Sequence, residues 1–147
     1  AGDSTRLARL DFGMIARLIL ALCQSKIHAP RDVPTWPTEG AVLVFLPGAG
    51  EIGRMLAEIQ NEAELSGCLG IVRALPLHGG LPTDKQQECF EVFRPGGPRK
   101  VVCATNVAET SITIPDVTVV VDTCRERRLR LEGGSFTPCL AEQLCAK

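Results

Sequence analysis

The sequence predicts an α/β domain with a mostly parallel sheet and helices on both faces. Short apolar runs rich in valine alternate with amphipathic segments, and glycine and proline mark the boundaries between them. Such alternation is typical of parallel sheets with helical crossovers. The 147 residues are 45% hydrophobic and 22% charged, which fits one globular domain. Because the formal net charge is -1, any contact with nucleic acid would be local rather than a general attraction.

A helix and a proline-rich connection come first. Apolar residues recur at steps of three and four from Phe12, which predicts an amphipathic helix ending near Cys23. The three prolines within residues 25–40 predict an exposed connection, since each fixes φ and biases its predecessor away from helix. Trp36 in this connection is either a surface anchor or a lid on the fold, and we expect the lid because an aromatic ring gains by burial.

Four apolar runs predict the strands, and two segments between them predict helices. The runs are AVLVFL at 41–46, IVRALPL at 71–77, KVVCAT at 100–105 and TVVVD at 118–122. Ile52, Met55 and Ile59 share one face of a crossover helix between the first two runs. Thr83 and Gln86 fit a capping box that begins another helix, expected to continue to Phe93.

Ligands of an open parallel sheet bind where the chain leaves the carboxyl ends of the strands. The informative positions are therefore Pro47-Gly48, His78-Gly79-Gly80, Thr105-Asn106 and Asp122-Thr123. Thr105 and Asn106 offer hydroxyl and amide groups just before a helical turn, whose exposed N–H groups attract phosphates. Alternatively, the Thr105 side chain only caps that turn. A single histidine beside two glycines indicates a turn residue rather than a catalytic base.

Known catalytic and metal-binding motifs are absent from the sequence. It contains no G-x-x-x-x-G-K-[ST] loop, no D-E-x-[DH] box and no G-x-S-x-G elbow, so we assign no catalytic residue. The seven cysteines form no C-x-x-C pair and the two histidines complete no zinc set, so we expect no metal site. Cysteines within apolar runs, such as Cys23 and Cys103, are expected to be small buried hydrophobes in a reducing compartment.

Four segments occur in the order seen in one protein family. They are VLVFLPG, LHGGLPTDKQ, KVVCATNVAETSITIPDV and TVVVDTCRERR, which together span most of residues 41–128. In this order they resemble the second RecA-like lobe of DEAH-box RNA helicases. The resemblance implies a RecA-like, P-loop NTPase-type fold of three layers. We expect residues 1–40 to be an N-terminal helix and connection, and residues 41–147 to be the lobe, ending before the family's arginine-rich motif VI.

The resemblance also implies which residues act. Gly48, Thr105 and Asn106 match positions that touch the RNA backbone. Gln86 is expected to cap its helix and also to face RNA. The centre of motif V is matched by Glu109, Thr110 and Ser111, and the nucleotide edge of the lobe interface by Thr113. Many family members carry an acid where this sequence has Pro115. Either Asp116 reaches the ribose instead, or the protein holds the nucleoside loosely.

The arginine-rich segment that follows resembles a hairpin of the same family. Residues 125–140 are expected to form two strands around Gly133-Gly134, and the resemblance implies that this hairpin lies against RNA. Arg127 and Arg128 either contact phosphates there or form an ordinary solvated face.

The implied function is that of a fragment of an ATP-dependent RNA helicase, inactive by itself. Its partners would be RNA and the first RecA-like lobe of the same parent chain, and that lobe would supply most contacts to ATP and Mg²⁺, neither bound tightly by this fragment. No apolar run approaches the roughly 20 residues that cross a bilayer, so we expect a soluble intracellular monomer, cytoplasmic or nuclear. The alternative is a stand-alone nucleic-acid-binding or protein-interaction module without ATPase activity.

Overall fold

A computed structural model describes residues 9–24, 36–106, 113–131 and 138–144. Three α-helices, a short 3₁₀ helix and six strands lie in these ranges. In chain order they are α1 (Phe12–Cys23), β1 (Ala41–Phe45), α2 (Ala49–Leu65), β2 (Val72–Leu77), α3 (Thr83–Gln87), the 3₁₀ helix (Glu88–Phe90), β3 (Arg99–Ala104), β4 (Val117–Asp122), β5 (Arg125–Leu131) and β6 (Pro138–Leu144).

The first four strands form one sheet in the order β2-β3-β1-β4, with every pair parallel. The apolar strands β1 and β3 occupy the centre, where parallel strands are covered on both faces. In their register Val44 lies opposite Cys103, while Val44 on the other side lies opposite Val121. The predicted α/β class with a parallel sheet is confirmed.

Side chains alternate between two cores, one on each face of the sheet. Val44 and Cys103 join Ile19 of α1 and Met55 of α2 in the first core. Their neighbours along the strands point to the opposite face, because successive side chains of a strand alternate. The second core contains Leu43, Leu75, Leu77, Cys89, Val102, Ala104 and Ile114. Cys89 of the 3₁₀ helix places that element on the second face, so the sheet has helical cover on both sides.

The helix expected from Thr83 to Phe93 is shorter and begins differently. It ends at Gln87, and Pro82 is its N-cap without a side-chain hydrogen bond, so the predicted capping box is wrong. Gln86 does reach back along the chain, but its Nε2 donates to the carbonyl oxygen of Leu81 at 2.7 Å. With its proline ring holding φ at -55°, Pro82 begins the helix without the hydroxyl that a capping box needs.

Trp36 is 48% exposed, so the expectation that it covers the fold is wrong. The end of the connection is held by a polar contact instead. The buried guanidinium of Arg99 donates to the carbonyl oxygens of Pro37 and Gly40, both at 2.9 Å. Because these bonds anchor the main chain directly, the adjacent indole ring is not required as a cover.

Two cysteines occupy the apolar positions that the sequence predicts. Cys103 is fully buried in β3, and Cys23 packs against the first core. Burial raises the pKa of the Cys103 thiol to about 12 and that of the Cys23 thiol to about 11, because an apolar environment penalises the thiolate. Their predicted role as small hydrophobes is confirmed.

Strands β5 and β6 form a separate antiparallel pair in which Leu129 lies opposite Leu140. The expected hairpin is therefore confirmed in its two strands. Residues 132–137, between the two strands, lie outside the described residues. Within the described ranges no helix is long and apolar enough to cross a membrane. The expected division into residues 1–40 and 41–147 stays a prediction.

Candidate functional site

In the parallel sheet, the C-terminal ends of four strands lie on one side of the domain. Since β1, β2, β3 and β4 run in the same direction, the residues that follow them share one edge of the sheet. We call this the carboxyl edge and define it by Gly48, His78, Thr105, Asn106 and Thr123. The predicted RNA-binding residues Gly48, Thr105 and Asn106 thus follow the neighbouring strands β1 and β3.

Hydrogen bonds continue the strand pairing just past the strands and hold these strand ends in place. Four such bonds join neighbouring strands. They run from Leu46 N–H to Ala104 O at 2.8 Å, from Thr105 N–H to Leu77 O at 3.2 Å, and from Thr123 N–H and Oγ1 to Phe45 O at 3.4 and 2.8 Å. The carboxyl edge is therefore built on bonded backbone, which is how rigid scaffolds position binding loops.

Gly48 is the N-cap of α2, a helix of 17 residues. Its backbone is extended, with φ -167° and ψ 170°, and it has no side chain with which to cap the helix. The first N–H groups of a helix have no partner within the helix and carry the positive end of its dipole. Backbone donors at this corner of the carboxyl edge suit an anion such as a phosphate.

Thr105 is half-buried and Asn106 is exposed at the end of β3. The N–H of Thr105 is occupied by Leu77, so the groups that Thr105 and Asn106 can offer a ligand are the hydroxyl and the amide. The alternative that Thr105 caps a turn concerns residues from 107 onward, which lie outside the described part. A polar pair in this position can contact a sugar-phosphate backbone without performing chemistry.

The segment after β2 is shaped by its own side chains. His78 Nδ1 accepts a hydrogen bond from the N–H of Gly80 at 3.2 Å, and a Cβ at Gly80 would lie 3.3 Å from the same nitrogen. His78 is therefore a turn residue, as its glycine neighbours predict. Gln86 is half-buried and bonds to Leu81, which leaves its amide oxygen as an acceptor. Its contact with RNA stays a prediction.

Asp116 does not join the carboxyl edge. It directly precedes β4 and therefore lies at the opposite, amino edge of the sheet. Its side chain is 11% exposed, and its Oδ1 lies 2.5 Å from Lys100 Nζ. Within the described residues this contact is an ion pair, and Oδ1 makes no hydrogen bond. The carboxylate is thus committed to Lys100, while the hypothesis that it reaches a ribose stays a prediction. Thr113 is exposed beside the buried Ile114.

Several predicted site residues are not placed. Glu109, Thr110 and Ser111 lie outside the described residues, and so do the side chains of Arg127 and Arg128 on β5. Sequence reasoning in turn missed two buried cations, Arg99 and Lys100, which begin β3. The available signal was their position directly before an apolar run, but Lys and Arg are almost never fully buried unless paired, and their partners are not visible in the sequence.

The helicase conserved C-terminal domain matches residues 26–132, which is most of this chain. The chain belongs to this family. A DExH-box ATP-dependent RNA helicase of Arabidopsis thaliana, DExH1, is 41% identical over 108 residues, covering 74% of this chain and 11% of that protein. The ATP-dependent RNA helicase dhx29 of Xenopus laevis is 39% identical over 109 residues, covering 74% of this chain and 8% of that protein.

A solved structure extends the match to the fold of this helicase domain. The crystal structure of the Escherichia coli DEAH/RHA helicase HrpB aligns with a TM-score of 0.68 and 30% identity, covering 92% of this chain and 15% of that one. The DEAH-box resemblance and the RecA-like fold are thereby confirmed. The chain spans only 6% to 11% of the length of the curated relatives named with DEAH or DExH boxes.

Proposed function

We propose that this helicase domain is the second motor lobe of an ATP-dependent RNA helicase. It binds the RNA backbone and couples ATP hydrolysis to strand movement. The observation that carries the proposal is the carboxyl edge, where the N-terminus of α2 and the polar pair Thr105-Asn106 follow neighbouring strands of a bonded sheet. The names of the relatives, which are RNA helicases, support the choice of RNA as the ligand.

RNA contact is assigned to Gly48, Thr105 and Asn106, with Gln86 on the adjacent segment and Arg127 and Arg128 on the hairpin. Backbone N–H groups, hydroxyls and amides contact phosphates and sugars without reading sequence. A local site of this kind agrees with the formal net charge of -1, since a broad basic surface is not needed to hold a few phosphates.

Coupling is assigned to Glu109, Thr110, Ser111 and Thr113, with Asp116 at the end of the same segment. This segment leaves the carboxyl edge after β3 and returns to the amino edge before β4. A loop that spans RNA and nucleotide contacts can convert closure around ATP into movement along a strand.

The nucleotide and metal are assigned mainly to a first RecA-like lobe of the same parent chain. A phosphate cradle of the Walker type is absent from this sequence, and no cluster of metal-ligating side chains lies among the residues that the structure describes. Bound Mg²⁺ would neutralise charge that develops on the transferring phosphoryl group. We further propose that the protein acts as a monomer inside the cell, away from membranes.

Replacing Thr105 with alanine in the full-length protein tests this function. The loss of one hydrogen bond to a charged phosphate should weaken RNA binding about tenfold, and RNA-stimulated ATPase should fall with it. Basal ATPase should stay near the wild-type value, because a phosphate contact positions RNA without performing chemistry. RNA affinity is measured by fluorescence anisotropy and turnover by phosphate release.

The matched control is Thr38→Ala, the same substitution at an exposed residue before β1, at the amino edge. This variant should bind RNA as the wild type does. A Thr105→Ala variant with normal RNA affinity but reduced basal turnover would contradict the assignment. A wild-type protein whose ATPase ignores RNA would contradict the proposed function as a whole.

A further inference from the structure

Lys100 is the most deeply buried charged side chain that the structure describes. It stands in the first half of β3, and its side chain is 0% exposed. Nζ donates hydrogen bonds to Cys89 O at 2.8 Å and Glu91 O at 2.7 Å, and it forms an ion pair with Asp116 Oδ1 at 2.5 Å. The ammonium group is therefore held by three oxygens.

Burying this pair is costly, and stability alone does not explain it. Removing two charges from water is offset only when geometry and additional hydrogen bonds are good, and apolar residues of similar volume often serve as well. The neighbouring positions of β3, Val101, Val102 and Cys103, are apolar and buried. An apolar residue at position 100 could not form polar contacts with three groups from two separate segments.

Those two segments carry residues of both proposed contacts. Asp116 follows Thr113, proposed at the nucleotide edge, with the buried Ile114 between them. Cys89 and Glu91 follow α3, whose Gln86 is proposed to face RNA. Lys100 thus joins both segments directly. Asp116 is also held by its main chain, since its carbonyl oxygen accepts from the N–H of Ala41 at 2.6 Å.

A pocket partly open to solvent lies beside this junction. A cavity of about 240 Å³ adjoins Lys100 and Asp116, with Thr38, Phe93 and Gly96 also in its wall. Lys100 Nζ lies 5.5 Å from the centroid of the Phe93 ring, which adds a cation–π contact on that side. The ion pair and the two carbonyl contacts of Lys100 join the two segments beside this pocket.

We propose that Lys100 and Asp116 are a positioning pair that fixes the Thr113–Asp116 segment against the α3 segment, so that the nucleotide and RNA contacts move as one body. The inference rests on the proposed motor function. A lobe transmits displacement between two sites only if the parts that touch them keep their relative position. The contacts of the buried ammonium group with one carboxylate and two carbonyl oxygens provide that rigidity.

Three variants of the full-length protein test the pair. Lys100→Met keeps an unbranched apolar stem and removes the ammonium group, while Lys100→Met with Asp116→Leu also removes the carboxylate left unpaired. Asp116→Asn keeps the volume and one acceptor oxygen. Arg73→Met is the matched control, because Arg73 forms an ion pair with Glu88 at 2.8 Å on the surface of β2.

Lys100→Met should lower both thermal stability and RNA-stimulated kcat, the latter about tenfold. The double variant should regain most of the stability, because no unpaired charge remains, yet its RNA-stimulated kcat should stay low. RNA affinity should change by less than about threefold in the double variant, because neither residue is assigned to RNA contact. Asp116→Asn should lie between wild type and Lys100→Met, and Arg73→Met should match the wild type.

Recovery of both stability and RNA-stimulated kcat in the double variant would overturn the proposal, because the pair would then serve stability only. If Lys100→Met does not fold, Asp116→Asn is compared with Arg73→Met instead. A lower RNA-stimulated kcat in Asp116→Asn than in Arg73→Met supports the proposal, and equal values would overturn it. Amide hydrogen exchange of residues 113–117 reports how firmly this segment is held, independently of activity. Faster exchange in the stable double variant is expected, and unchanged exchange would overturn the proposal. If RNA did not stimulate the ATPase activity of the wild-type protein, the motor function would be refuted, but the structural role of the Lys100–Asp116 pair would not.

Discussion

Replacing Arg99 with methionine should destabilise the fold by about 3–4.5 kcal/mol. The guanidinium is buried and donates to three carbonyl oxygens at 2.9 Å, that of Leu22 at the end of α1 and those of Pro37 and Gly40 in the connection before β1. Methionine preserves much of the apolar volume, but the three carbonyls lose a charged donor.

The magnitude follows from the bonds that are lost. Each hydrogen bond to a buried charged group contributes about 1–1.5 kcal/mol after the desolvation of the guanidinium is subtracted, and three such bonds give the total. Two further contacts, to Glu39 O at 3.3 Å and Thr118 Oγ1 at 3.4 Å, are longer and add little. Leu22 lies in the last turn of α1, so the same substitution also removes a cation from the negative end of that helix.

Urea unfolding followed by circular dichroism measures the effect, with Arg94→Met as the control. Arg94 is exposed in the turn before β3, and its replacement should change stability by less than about 0.5 kcal/mol. If Arg99→Met lost no more stability than Arg94→Met, the three carbonyl bonds would not be what holds the connection.

Two further predictions concern stability. Burial raises the pKa of Cys103 from 9.0 to about 12, so the folded state binds more protons than the unfolded state in that interval, and stability should fall as pH rises from 9 towards 12. Cys103→Val should flatten this decline in unfolding midpoints measured from pH 8 to 11, and an unchanged slope would refute the assignment. Gly40 has φ +83°, and a Cβ there would lie 2.7 Å from Asp116 O, so Gly40→Ala should cost about 2 kcal/mol or more. Gly53→Ala, in open space on α2, should instead stabilise by about 0.5–1 kcal/mol, and thermal melts that ranked the two alike would contradict this reasoning.

The strands could be predicted from the sequence because their signal is local. The run at 41–46 became β1 at Ala41–Phe45, and the run at 100–105 became β3 at Arg99–Ala104. Both strands are buried on two faces, which is why they read as continuous apolar runs. The beginning of α3 could not be predicted in the same way. Thr83 and Gln86 have the spacing of a capping box, but the chain enters the helix through Pro82, and Gln86 bonds to Leu81 instead.

The same distinction applies to the candidate site: some of its residues could be placed from the sequence and others could not. Gly48, Thr105 and Asn106 were placed at one edge by the sequence, because the carboxyl ends of parallel strands meet there whatever the details of packing. Asp116 was grouped with the nucleotide contacts by resemblance, while its carboxylate in the fold is bonded to Lys100 at the amino edge. Its partner is 16 positions earlier in the chain, and no periodic pattern connects the two.

Strand order along the chain, the parallel class of the sheet and membership in the helicase family were therefore decided by the sequence, because each depends on local period or on motifs that keep their order. The partners of the buried cations were decided only by the tertiary structure. Arg99 bonds to Leu22 across 77 positions, and Lys100 joins segments on either side of β3. A buried charge is stable only where acceptors from separate segments converge on it, and that convergence exists only once the chain has folded.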